Sequence, residues 1–64
     1  MFVVGIAPRN RPAVYVLLLS DSIEELDMEF VKTRELASRL CFEEAHDVAW
    51  AMKQMGLPAF VQPA

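Results

Sequence analysis

Residues 43–62 constrain the fold more than any other part of the chain. Acidic residues begin this segment and Lys53 follows ten positions later, which is the charge order that a helix dipole favours. Gly56 suits the left-handed position just past a helix, and Pro58 prevents the helix from continuing. Apolar residues recur between these signals at helical spacing: Ala45, Val48, Ala49, Met52 and Met55. The sequence therefore predicts a helix over residues 43–55, followed by a strand over residues 59–62.

The first 19 residues contain two short apolar runs. Phe2–Ala7 and Ala13–Leu19 are rich in strand-forming residues, and the turn formers of Pro8–Pro12 separate them. This arrangement predicts a β-hairpin. The second run shows no polar alternation, so both of its faces are expected to be buried in a central strand. Because one helix covers one face of a sheet, the other face is expected to contact a second helix or a second protein molecule.

The segment between the hairpin and the helix allows two interpretations. A capping box in Ser22–Glu25 and a helical stripe fit one long helix over residues 23–40. Several apolar residues fall off that stripe, however, and Met28–Lys32 shows partial strand alternation. We therefore favour a third short strand near Met28–Lys32, followed by a helical turn near Arg34–Ser38.

These elements together predict one small α+β domain spanning residues 1–64. Its antiparallel sheet combines the N-terminal hairpin with the C-terminal strand and packs on the one main helix, residues 43–55. A chain of 64 residues buries only roughly 60% of its unfolded surface, so its core is marginal. One cysteine and one histidine provide neither an internal disulfide nor a four-ligand zinc site. We therefore expect the chain to assemble with itself as a dimer, or with another protein.

Trp50 lies on the wrong side of the predicted helix for a core residue. At ~100° per residue it points about 160° away from the centre of the apolar stripe, among His46 and Lys53. It either covers a strand or loop of the same chain or anchors a protein interface, where tryptophan is enriched. The small number of elements that could cover it favours the interface. Tyr15 in the second strand is a weaker candidate, so the predicted interface consists of Trp50, His46, Lys53 and Tyr15.

Few residues carry recognisable chemistry. Cys41 and His46 could form a nucleophile and its base, but no oxyanion motif or glycine-rich loop accompanies them, and we expect a buried, structural cysteine. Glu43, His46 and Asp47 share one side of the helix and resemble half of a carboxylate–histidine metal site that a dimer could complete. A solvated helix face is the favoured interpretation. We expect no catalytic residue, no resident metal and no cofactor, and thus no enzyme.

The charge of the chain argues against direct binding of nucleic acid. Six basic and nine acidic residues give a net charge of −3, and the basic cluster consists of Arg9 and Arg11 in the predicted turn. An acidic stretch is either a solvated segment or a patch for a basic partner. Its candidate residues are Glu24, Glu25, Asp27 and Glu29. The single cysteine, the lack of a leader-like start and the short apolar runs favour the cytoplasm, without membrane association.

One part of the sequence resembles known small proteins. Leu36–Ala45, followed by Ala49, Met52, residues 56–59 and Val61, resembles a pattern common in very small bacterial, phage and prophage proteins. In these proteins a short strand leads to an alanine-rich helix and, past a glycine, to a final strand. A similar half-unit occurs in SPOR peptidoglycan-binding domains, which have two such halves where this chain has one. The matching positions are packing positions, so the resemblance transfers no functional residue.

The size and acidity of the chain are also similar to those of phage-encoded inhibitors of host proteins, including anti-CRISPR proteins. This resemblance implies a phage or mobile-element accessory protein that inhibits or adapts a host protein. Our leading hypothesis is thus a non-enzymatic protein–protein interaction module. The alternative is a small dimeric regulatory domain that binds a ligand or metal through Glu43, His46 and Asp47.

Overall fold

The computed structural model describes residues 1–19 and 27–64, which form a four-stranded antiparallel sheet with one α-helix. The elements are β1 (Phe2–Ile6), β2 (Val14–Leu18), β3 (Met28–Val31), a 3₁₀ turn (Arg34–Leu36), α1 (Phe42–Gln54) and β4 (Ala59–Pro63). The strand order in the sheet is β3-β2-β1-β4. The predicted α+β class is confirmed, and the predicted main helix is confirmed with a shift of one residue at each end.

The middle of the chain follows the favoured interpretation. Residues 28–31 form a strand that pairs with β2, and the 3₁₀ turn lies where the helical turn was predicted. A continuous helix through residues 23–40 is therefore wrong. The predicted capping box, Ser22–Glu25, lies outside the described residues.

β1 and β2 pair only near their turn, where Gly5 lies opposite Tyr15 and Ile6 opposite Val14. Beyond this point residues 37–40, the wedge segment, lie between the two strands. Phe2 and Leu40 exchange two backbone hydrogen bonds of 2.7 and 2.8 Å.

Ser38, which belongs to the wedge segment, connects this segment to β2 through two hydrogen bonds. Its backbone N–H donates to the Val16 carbonyl oxygen at 3.1 Å, and its hydroxyl oxygen accepts the Leu18 N–H at 2.8 Å. The wedge segment therefore satisfies backbone groups that the diverging strands would otherwise leave unpaired.

α1 ends in a Schellman motif. Gly56 adopts a positive φ of 84°, its N–H donates to the Lys53 carbonyl at 3.0 Å, and the Leu57 N–H donates to the Met52 carbonyl at 3.0 Å. The helix therefore stops one residue earlier than predicted. Met55, which the helical stripe placed in the core, is 64% exposed for that reason.

The core lies between α1 and the β1–β4 half of the sheet. The buried helix residues are Ala45, Val48, Ala49 and Met52. They pack on a sheet face that includes Val4 and Val16, and α1 contacts β1 and β4 to a similar extent. On the opposite sheet face Tyr15 and Leu17 are only partly buried. Val14 and Leu18 on the helix side are also only partly buried, so the expectation that both faces of β2 are buried is met at Val16 alone.

Candidate protein-interaction surface

The exposed side of α1 carries a large aromatic residue, as the helical spacing predicts. Trp50 is 64% exposed, whereas the next apolar residues on either side of it, Ala49 and Ala51, are buried and partly buried. A tryptophan side chain that is buried in a contact contributes about 150–250 Å² of surface. Most of this area is in water here, so Trp50 is available to a partner.

A cleft of about 470 Å³ lies between α1 and the edge strand β4. We call it the helix–β4 cleft; its lining residues are His46, Asp47, Ala49, Trp50, Lys53, Phe60 and Val61. Three of the four residues predicted for the interface, Trp50, His46 and Lys53, are thus brought to one place. Because the helix buries its aliphatic residues against the sheet, its polar and aromatic residues form most of one wall of the cleft.

The imidazole of His46 is held by the first turn of its own helix. Its Nδ1 lies 2.9 Å from the Phe42 carbonyl oxygen, and the His46 and Phe42 rings lie 4.0 Å apart between centroids with their planes tilted by 40°. Because a carbonyl oxygen can only accept, Nδ1 must be the donor, and in the neutral ring Nε2 is then the acceptor. Phe42 in turn packs edge-on against Phe2 at 5.5 Å. His46 is therefore oriented by this hydrogen bond and by its contact with the Phe42 ring.

Tyr15, the fourth predicted interface residue, lies on the other face of the sheet. Its ring meets Phe60 in an edge-to-face contact, with centroids 6.2 Å apart. Phe60 lies opposite Gly5 in the β1–β4 pairing, and its ring lies where a Gly5 side chain would be. The sheet thus separates Tyr15 from Trp50, and Phe60 is the residue that both lines the cleft and contacts Tyr15.

Phe60 and Val61 were missed as surface residues by the sequence analysis. The sequence signal for β4 was correct, but nothing local in it indicates that this strand lies at the edge of the sheet beside α1. That position follows from the pairing of β4 with β1 alone.

The other candidate groups are Cys41 and the acidic and histidine side chains of α1. Cys41 is exposed just before α1, so the expectation that it is buried is wrong, because the helix begins at Phe42 and leaves it at the N-cap. Within residues 1–19 and 27–64, no group of three or more His, Cys, Asp and Glu residues could hold a metal ion. Glu43, His46 and Asp47 therefore do not form a metal site within one protomer.

The charged candidates are distributed over the surface. Asp27 and Glu29 of the predicted acidic patch are exposed, while Glu24 and Glu25 lie outside the described residues. Arg9 and Arg11 are exposed in the turn between β1 and β2. None of the helices that the structure describes has the length and apolarity needed to cross a membrane.

Comparisons with protein-family models, with curated proteins and with solved structures give no match to this chain. Its function must therefore be argued from the helix–β4 cleft itself.

Proposed function

We propose that this chain is a non-enzymatic protein-interaction module that binds its partner through Trp50 and the helix–β4 cleft. The observation that carries the proposal is the 64% exposure of Trp50 at a cleft that also contains His46 and Lys53. Tryptophan is among the residues that most often dominate the binding energy of an interface. An aromatic anchor beside polar neighbours has the composition of an interface centre and its rim.

A protein partner fits this cleft better than a small molecule does. Small-molecule sites enclose about 70–90% of their ligand, whereas this cleft lies between the exposed side of a helix and the outer edge of a strand. A partner chain could contact the helix and the strand edge together. Addition of a strand to a sheet edge and packing against an exposed helix face are both common modes of protein recognition.

The resemblance to small phage and prophage proteins gives this module its proposed role. The partner would be a second copy of the chain, a host protein that the module inhibits or adapts, or both, in the cytoplasm, where a lone exposed thiol such as Cys41 remains reduced. The proposal would be strengthened if a captured host protein lost activity on addition of the pure chain.

The proposal is tested by capture of partners from the source cell with tagged chains. Trp50→Ala removes the anchor, and Leu36→Ala is the matched control because Leu36 is 61% exposed but lies outside the cleft. Loss of an anchor worth about 2 kcal/mol should weaken binding roughly 30-fold for Trp50→Ala and leave the control unchanged. Circular dichroism checks that both variants are folded. If the wild-type chain and Trp50→Ala capture the same proteins equally well, the proposal that the partner binds at the helix–β4 cleft is wrong.

A further inference from the structure

We propose that the occupant of the helix–β4 cleft is a second copy of this chain. The two copies would join β4 to β4 about a two-fold axis, so that their sheets form one eight-stranded sheet and their helices lie antiparallel on one side. This inference rests on the proposed function and identifies its partner.

The backbone groups of β4 point alternately toward β1 and away from it. The Ala7 N–H donates to the Pro58 carbonyl at 3.0 Å, and the Ala64 N–H donates to the Met1 carbonyl at 2.9 Å. The groups of successive residues alternate in direction along an antiparallel pair. Even-numbered residues of this strand therefore direct their N–H and C=O groups toward β1, and odd-numbered residues direct theirs outward.

The outward groups of β4 are suited to pairing about a two-fold axis. Pro63 has no N–H, and the Ala59 N–H already donates to the Leu57 carbonyl at 2.9 Å. Among the outward residues of this strand, Val61 is then the one with both backbone groups available in the described part of the chain. Two copies of Val61 facing each other across the axis can exchange both hydrogen bonds.

The position of α1 over the sheet also favours a second copy as the partner. Because α1 packs on β1 and β4 to a similar extent, its axis lies over the gap between these two strands. Neighbouring strands are about 4.8 Å apart. In the dimer the two β4 strands would be one strand-to-strand distance apart, and each helix axis would lie a further half of that distance inside its own β4. The two helix axes would therefore be about two strand-to-strand distances apart, or ~10 Å. This matches the distance of about 8–10 Å between packed helices, so pairing the strands also brings the helices into contact.

The charge pattern around Trp50 favours a second copy as well. Asp47 precedes Trp50 by three residues and Lys53 follows it by three, and all three line the cleft. In an antiparallel helix pair centred near Trp50, Lys53 of each copy faces Asp47 of the other copy. The surface is therefore complementary to itself, which is what an interface between identical copies requires.

The decisive experiment reverses one of these two charges at a time in the full chain and measures self-association by sedimentation equilibrium. Lys53→Glu and Asp47→Lys each create like-charge contacts in a symmetric dimer. Each variant alone should weaken the dimer about tenfold, because two exposed ion pairs become repulsive. An equimolar mixture of the two variants should associate as strongly as the wild-type chain, since every new charge then faces its opposite. Both residues are exposed, so the variants should fold.

A second experiment tests the strand seam with chemically synthesised chains. Methylation of the Val61 backbone nitrogen removes one outward N–H and keeps the side chain. The matched control is methylation of Phe30, whose N–H points outward from β3 because the Leu19 N–H donates to the Asp27 carbonyl at 2.8 Å. We expect loss of the dimer for Val61 and an unchanged dimer for Phe30.

The outcomes distinguish this inference from the proposed function. A monomeric wild-type chain at 100-fold the concentration used for partner capture overturns the inference, as does a charge-exchanged mixture that fails to associate. If that monomer still captures another protein in a Trp50-dependent way, the proposed function stands without the second copy. If capture is also independent of Trp50, both are wrong.

Discussion

Replacing Gly5 by alanine tests the packing on the face of the sheet opposite α1. A Cβ atom on Gly5 would lie 2.8 Å from both Cε carbons of the Phe60 ring and still closer to Cζ. Ordinary carbon–carbon contact begins near ~3.5 Å, so the ring must move by about 1 Å. Gly5 is not among the residues with positive φ, so its backbone accepts alanine. Any cost therefore arises from the displaced ring.

The expected cost follows from three terms. Overpacking costs about 1–3 kcal/mol, and loss of the edge-to-face contact between Phe60 and Tyr15 adds about 0.5–1.5 kcal/mol. In the opposite direction, alanine in a strand stabilises the fold by roughly 0.5–1 kcal/mol relative to glycine, because less backbone entropy is lost on folding. We expect Gly5→Ala to destabilise the fold by about 2 kcal/mol, which corresponds to a fall in Tm of about 8–16 °C for a domain of this size.

The assay is a double-mutant cycle with Phe60→Ala, measured by urea unfolding and circular dichroism. Without the ring, alanine at position 5 meets no obstacle and should stabilise the chain by about 0.5 kcal/mol. The sign of the Gly5 substitution therefore reverses between the two backgrounds, with a coupling of about 2.5 kcal/mol. All four chains must be measured at one concentration, because self-association raises apparent stability by mass action.

Two results would refute this reasoning. If Gly5→Ala raises the stability of the chain that retains Phe60, the ring does not occupy the space above Gly5. If the substitution costs the same with and without the ring, the cost comes from the backbone of β1 and the proposed packing is wrong.

Three further substitutions test the core, the helix end and the wedge segment. Met52→Ala removes a fully buried side chain and should cost about 2–5 kcal/mol in urea unfolding; a cost below 1 kcal/mol would mean that the core does not close around it. Gly56→Ala should cost about 1 kcal/mol through its φ of 84° alone, since nothing lies within 4 Å of an added Cβ. Gly56→Asn should cost less, and equal costs would contradict a left-handed cap. Ser38→Ala should cost about 1–2 kcal/mol and speed amide exchange at Leu18, whereas unchanged exchange would exclude their hydrogen bond.

The parts of the fold that the sequence predicts are those with local causes. The helix, its glycine cap and the strand that follows depend on residues within a few positions of each other, and so does the alternation that identified β3. The errors at the helix ends are also local. Met55 matches the helical period but lies at the C-cap, and Cys41 lies at the N-cap, so neither takes part in the buried stripe.

The wedge segment has no local cause and could not be predicted. The hydroxyl of Ser38 accepts from Leu18, 20 positions earlier, and Leu40 pairs with Phe2. These bonds depend on where β1 and β2 diverge, which is a property of the assembled sheet. Period and composition carry no information about such long-range partners, and the same holds for the place of β4 at the edge.

The edge position of β4 also changes what the predicted interface means. Trp50 and Tyr15 were predicted together as exposed aromatic residues, yet the sheet lies between them. Phe60 links their surroundings, since it lines the cleft with Trp50 and packs against Tyr15 and Gly5. Its ring lies above Gly5 on the face of the sheet opposite α1. Neither the place of Phe60 beside the cleft nor its contact with Gly5 could be recognised from Trp50 alone, because both depend on the pairing of β4 with β1.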